Sequence, residues 1–255
     1  MNDKHLLETL KRLEEGQISA AEAYEKVRYG WSDRLGFAEV DLNRVARRGL
    51  PEVVFGPNKT VDHITEICRS LNRAQQRILV TRIDAEHARA VIGRLPDVPL
   101  AYESAARCLR TADTPNPTEG RGTILVVTAG TSDYPVAAEA IVTIQHAGHP
   151  VETLFDVGVA GLHRLLGHLE TLRRAEIIIV CAGMEGALPS VIAGLVTQPV
   201  IAVPTSVGYG VQLEGITTLL AMMSSCAAGV TVVNIDNGFG AAYAACAMNR
   251  QRDQG

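Results

Sequence analysis

The sequence predicts an α/β protein: a three-layer, doubly wound parallel sheet of about five strands, preceded by a smaller α/β unit. Three observations carry that expectation. Strand and helix patterns alternate from residue 123 to residue 248. Four of the strand patterns end in tips rich in glycine and small polar residues, VVTAGTSDYP, IVCAGMEGALP, IAVPTSVGYG and VVNIDNGFGAA. A stretch with two prolines, two glycines and no apolar periodicity, TADTPNPTEGRG at 111–122, separates this half from the first.

Taken in order, Leu6, Leu7, Leu10 and Leu13 repeat at helical spacing and are followed by Gly16. Ser19, with Glu22 three residues on, reads as a capping box that opens a second helix running to Val27. PEVVF at 51–55 reads as a strand, 61–71 as a helix, 78–81 as a strand and 84–93 as a helix. The expected domains are 1–115, a linker at 116–122, and 123–255. In the second half the strands are expected at 123–128, 151–155, 176–181, 200–203 and 230–234. The helices are expected at 134–147, 163–171, 187–196, 212–227 and 238–248. Such alternation implies parallel strands joined by right-handed crossovers. Their tips then emerge on one side, at the crevice where open α/β sheets bind ligands.

Composition narrows the function. The 255 residues are 47% hydrophobic, 20% charged and 4% aromatic, as in an ordinary globular protein. A net charge of −4 argues against nucleic acid as the main partner. The charged, amphipathic start MNDKHLLETLKRLEE does not read as a signal peptide. From 177 to 247 the only charged residues are Glu185, Glu214 and Asp236, but Gly, Pro and Asn break the apolar runs, so buried strands and packed helices are expected rather than membrane spans. The apolar small-residue helices there, LLAMMSSCAAG and GAAYAACAM, are expected to be covered by another subunit. Five scattered cysteines without metal-ligand spacing read as reduced thiols in a cytoplasmic protein.

The tips supply the candidate site residues. Gly130, Thr131, Ser132 and Asp133 offer backbone N–H groups, a hydroxyl and a helix N-terminus to an oxyanion or phosphate; helix capping by Ser132 or Asp133 is the plainer role. Ala182, Gly183, Met184, Glu185 and Gly186 form the next tip. Glu185 is the only acidic residue from 177 to 209, and a dry setting would suit it to general acid or base work. Ser206 follows the next strand. Asn234, Asp236 and Asn237 form a polar turn, with Asp236 a candidate metal, phosphate or ribose ligand and turn formation the plainer role. Cys226 is either a thiolate nucleophile aimed at the crevice or a buried core thiol, and residue physics alone favours the latter. Asp41, Arg44, Arg47 and Arg48, with Lys59 and Arg82, are basic-cluster candidates for a phosphate or carboxylate clamp, or simply a solvated face. No dinucleotide GxGxxG and no GK[ST] occurs.

Together TAGTSDYPVAAEA, CAGMEGALPSVIAGLVTQPVIAVPTSVGYG and SSCAAGVTVVNIDNGFGAA, with RRGLPEVVFGPNKT and VTR in the first half, resemble the LarB family of nickel pincer cofactor biosynthesis proteins, the pyridinium-3,5-biscarboxylic acid mononucleotide synthases. The resemblance covers roughly residues 6–248. The second half also resembles the purine-pathway carboxylase/mutase acting on aminoimidazole ribonucleotide (PurE-like), sharing SD after the first strand and the LP segment followed by PVIxVP. Those enzymes carry a histidine just before LP, where this chain has Gly186 and Ala187.

The resemblance implies a carboxylase/hydrolase. Its substrates would be nicotinic acid adenine dinucleotide and carbon dioxide, or bicarbonate, with AMP released. Magnesium is implied for the anhydride step, and no bound nickel is expected. Cys226 matches the family's nucleophile, Glu185 its acid/base residue, and Ser132 and Asp133 the site near carbon dioxide and the pyridine carboxylate. An octamer or other dimer-based assembly with shared sites is implied by likeness to the purine enzyme. The alternatives are the purine-type mutase and a non-catalytic nucleotide-binding module.

Overall fold

The computed structural model describes residues 3–29, 32–117 and 119–250. Thr118 of the expected linker, and residues 1, 2 and 251–255 of the expected domains, lie outside the described residues. The chain divides into two compact units, Met1–Ala101 with Leu109–Thr111, and Tyr102–Cys108 with Ala112–Gly255.

The first unit opens with helices α1 (Asp3–Glu14) and α2 (Ala20–Tyr29). The capping box is present: the Ser19 N–H donates to the Glu22 carboxylate at 2.7 Å and the Glu22 N–H to Ser19 Oγ at 3.2 Å. A hairpin follows, β1 (Ser32–Arg34) antiparallel to β2 (Glu39–Asp41), then the short helix α3 (Arg44–Arg48). Strand β3 is only Val54–Phe55 and starts three residues later than expected. Helix α4 (Val61–Arg73) starts at Thr60, whose side chain caps the His63 N–H, and β4 is Leu79–Thr81. Helix α5 (Ala85–Arg94) starts at Asp84, which caps the His87 N–H. Strands β5 (Leu100–Glu103) and β6 (Cys108–Thr111) complete a sheet of order β3-β4-β6-β5, with β3 parallel and β6 antiparallel to β4. The pieces that sequence patterning did not anticipate, β1, β2, α3, β5 and β6, are three to five residues long, too short for periodicity to declare them.

The second unit is the predicted parallel sheet. Its strands are β7 (Ile124–Thr128), β8 (Val151–Leu154), β9 (Ile177–Ala182), β10 (Val200–Pro204) and β11 (Val230–Val232), in the order β11-β10-β9-β7-β8. Every neighbouring pair is parallel. The three central strands are buried throughout, as their unbroken Val/Ile runs require when helices cover both faces. The helices are α6 (Tyr134–His146), α7 (Leu162–Leu166), α8 (Leu169–Arg174), α9 (Leu188–Ala193), α10 (Ile216–Met223) and α11 (Gly238–Met248).

Two helices differ from expectation. The one expected at 163–171 is broken into α7 and α8 at Gly167–His168. The one expected from 212 begins only at 216, since Leu213, Glu214 and Gly215 have φ of 50°, 52° and 96° and cannot be helical. The far end of the expected linker is fastened to the second unit. Asn249 accepts the Gly122 N–H on Oδ1 at 3.2 Å and donates from Nδ2 to the Gly122 carbonyl at 2.7 Å, and its own carbonyl takes the Arg121 N–H at 2.8 Å.

Among the described residues no helix is long and apolar enough to cross a membrane. The two small-residue helices differ in cover. Ala241, Ala242, Ala245 and Cys246 of α11 are buried within the chain, where α11 packs on α6. The face of α10 and the turn before it stay open, with Tyr209 81% and Val211 80% exposed beside exposed Leu213, Ile216, Leu220 and Met223.

The α6–α11 contact depends on Gly238, where a Cβ would sit 2.1 Å from the Val136 carbonyl oxygen. Gly238→Ala should therefore cost about 1–3 kcal/mol, the usual range for overpacking, measured by urea denaturation. Stability equal to that of the unaltered chain would show that the two helices can part at no cost.

Candidate active site

The carboxyl ends of β7, β9, β10 and β11 form one crevice built around Asp133. This residue is 3% exposed. Its Oδ2 accepts the Gly130 N–H at 2.8 Å, and its Oδ1 accepts the Thr205 Oγ1–H at 2.7 Å from the end of β10. It does not cap α6; it reaches back to its own strand tip and across to the next-but-one strand. Burial pushes its pKa up, and the nearby Asp236 charge adds to that, against the opposing pull of the Thr205, Gly130 and Gly183 hydrogen bonds. The protonated form is thus favoured more than at an exposed aspartate. Ser132 and Thr131 stand exposed beside it, and Gly130 is half-buried.

At the β9 tip Ala182 and Gly183 are buried. A Cβ on Gly183 would lie 2.2 Å from the Val207 carbonyl oxygen and 2.8 Å from Thr205 Oγ1, so only glycine lets the β9 and β10 tips close on each other. The chain then turns through Met184 (φ 52°) and Gly186 (φ 66°), which lifts Glu185 into solvent. Glu185 is exposed, so the dry setting expected for it is absent in the single chain. The turn is pinned by the Met184 N–H donating to the Val207 carbonyl at 3.0 Å.

Ser206 is exposed, and its N–H donates to Asp236 Oδ1 at 2.8 Å, which draws the β11 tip to the β10 tip. Asn237 accepts the Gly240 N–H at 2.7 Å as the cap of α11 and donates to Asn234 Oδ1 at 2.6 Å. Asn234 and Asn237 therefore serve the turn first. Magnesium is held through one or two carboxylates together with substrate phosphates, which Asp236 fits. Among the described residues there is no group of three or more His, Cys, Asp or Glu of the kind that forms an all-protein metal site.

Cys226 departs from one of its two expected readings. It is exposed while the other four cysteines are buried, so it is not a core thiol. It lies in the connection entering β11: Ser225 bonds Ser190 of α9, five residues beyond Glu185, at 2.7 Å, and the Gly229 carbonyl takes the Val200 N–H at the start of β10. Met222, four residues before Cys226, would meet a Cβ on Gly186 at 3.1 Å.

Sequence reasoning missed Thr205 and the whole β8 tip. There the Asp156 N–H donates to Thr128 Oγ1 at 3.1 Å, Arg164 pairs with Asp156 at 2.7 Å, and exposed Tyr134 and Phe155 meet edge-on at 5.2 Å. FDVGVAG carries the same strand-then-glycine pattern as the other four tips and was the available signal. In the first unit, the expected basic clamp is partly spent: Arg47 is bonded to Asp41.

Comparison with known proteins bears on this geometry. Residues 32–113 match the LarB/PurE-like N-terminal domain and residues 123–255 match AIR carboxylase. The chain belongs to the LarB family. The chain is 40% identical over 244 residues, 93% of this chain and 94% of the relative, to an uncharacterized protein of Methanocaldococcus jannaschii. An N5-carboxyaminoimidazole ribonucleotide mutase of the same organism is 33% identical over 135 residues, covering 51% of this chain and 81% of that enzyme. The corresponding mutase of Mycobacterium tuberculosis is 30% identical over 128 residues, covering 48% and 69%. This LarB-family architecture marks a carboxylase-type enzyme in the class of nickel pincer cofactor biosynthesis. Gly186, where the purine enzymes are expected to have their histidine close by, has left-handed φ, and a Cβ there would meet Thr218 and Met222 at 3.1 Å.

Asp133 gives a signed pH dependence. A carboxyl whose pKa is raised on folding, above its ordinary 3.8, contributes stability fully present below that value and lost as pH rises through the folded pKa. Measured against Asp133→Asn, whose side chain does not titrate, the unaltered chain should lose relative stability between pH 4.5 and pH 8 in chemical denaturation. A gap that stays constant or widens in its favour would contradict the burial of an ionisable Asp133.

Proposed function

We propose that this LarB-family chain carboxylates ring carbon 5 of the pyridinium of nicotinic acid adenine dinucleotide and hydrolyses its phosphoanhydride. The products are AMP and pyridinium-3,5-biscarboxylic acid mononucleotide, the latter for nickel pincer cofactor synthesis. Cys226 carries the reading, since it alone among five cysteines is exposed in a chain whose family architecture is that of a carboxylase. A pyridinium is electrophilic and its carbon 5 does not attack carbon dioxide. Addition of the thiolate to the adjacent ring carbon forms a C–S bond and leaves an enamine, in which carbon 5 is nucleophilic. Carbon 5 then bonds to carbon dioxide, a base takes the carbon 5 proton, and the C–S electron pair returns to sulfur as aromaticity is restored.

Glu185, exposed at the β9 tip, is the base of this scheme. Ser132 and the Gly130–Asp133 tip hold the carboxylate and carbon dioxide. Asp236 would hold magnesium, which when bound neutralises phosphate charge for the anhydride step. Nickel has no place in this step. A cytoplasmic setting keeps Cys226 reduced.

The scheme requires a homo-oligomer. In this scheme the exposed Cys226 serves the crevice of a neighbouring copy. The open α10 face, with the groove of ≈ 440 Å³ lined by Leu219, Met223, Val232, Val233 and Asn234, is the surface that copy would cover. An octamer or another dimer-based assembly satisfies this.

Purified protein incubated with nicotinic acid adenine dinucleotide, bicarbonate and magnesium should release AMP and a mononucleotide heavier by one carboxylate, seen by mass spectrometry. Cys226→Ser should abolish carboxylation. Turnover of aminoimidazole ribonucleotide instead would favour the mutase, and turnover of neither a binding module. Cys226→Ser and Asp133→Asn chains, each inactive alone, should regain activity when co-assembled; failure of the mixture while both fold and assemble would mean that thiol and crevice belong to one chain.

A further inference from the structure

A line of buried hydrogen bonds joins the Asp133 tip to the Glu185 turn through two residues to which the proposed chemistry assigns nothing. Thr218, in the first turn of α10 and fully buried, donates its Oγ1–H to the Met184 carbonyl. Gln212, 6% exposed in the 3-10 turn before α10, donates from Nε2 to the Thr205 carbonyl at 3.1 Å and to Thr218 Oγ1 at 3.4 Å. Thr205, fully buried, donates in turn to Asp133 Oδ1 at 2.7 Å. The Glu185 turn needs such an anchor, since a methionine at φ 52° is held in a conformation that L residues rarely adopt, and Gly186 beyond it rests on Thr218 and Met222.

The geometry points to Gln212 and Thr218 as positioning residues, which lock the Glu185 turn in register with Asp133 so that these two of the crevice's carboxyl groups are held as one unit. Valine at 218 would fill the same space, yet it would leave the Met184 carbonyl without this donor and Gln212 without this acceptor. Serine would keep the hydroxyl and lose only a methyl group. The catalytic consequence rests on the carboxylase reading; the coupling of the two tips does not.

Two measurements separate them. Amide hydrogen exchange of the peptide spanning 183–188, read by mass spectrometry on the full chain without substrate, should speed up about tenfold or more in Thr218→Val. Peptides from α4 and α5 should be unchanged, and Thr218→Ser should restore slow exchange. In turnover of nicotinic acid adenine dinucleotide, Thr218→Val should lower kcat about tenfold with KM nearly unchanged, and Thr218→Ser should again restore it. Should Thr218→Val not fold, Gln212→Met breaks the same line and is read in the same way. Unchanged exchange at 183–188, or a serine variant no better than valine, overturns the coupling. If the unaltered protein does not turn over the dinucleotide, the carboxylase reading fails while the exchange comparison still decides the coupling.

Discussion

A buried carboxyl group organises this crevice. Taking Asp133 out of water costs several kcal/mol unless donors meet both oxygens, and the chain meets them with a backbone N–H of its own tip and the hydroxyl of a strand two places away. That requirement sets the spacing of the β7 and β10 tips. It also requires Gly183 between them, since any side chain there would hold the tips apart. Ser206 and Asp236 repeat the device one strand further along.

The sheet itself has no part in chemistry but makes the crevice rigid. Strands β7, β9 and β10 are buried on both faces, so their ends cannot shift without opening the core. The tips carry the solvent-exposed side chains, Ser132 and Glu185.

The open α10 face and the exposed Cys226 that follows it adjoin in the chain. An apolar face next to an exposed thiol suits contact with a second copy better than exposure to water.

Much of this was legible in the sequence. Ile177–Ala182 and Val200–Pro204 are runs of β-branched residues with no alternation, which is the mark of a strand covered on both sides, and Ser19 with Glu22 announces its helix by local chemistry alone. The strand ends carrying Asp133, Glu185 and Asp236 could be placed on one side of the sheet because parallel strands leave no other choice. Periodicity and capping act over a few residues, so sequence determined these elements by itself. What it could not determine is which side chains meet across many residues. Thr205 bonding Asp133 spans 72 positions, and Thr218 bonding Met184 spans 34. The exposure of Cys226 and the left-handed residues that shorten α10 were likewise decided only by the tertiary structure. Burial and hydrogen-bond pairing belong to the packed chain, and no local pattern encodes them.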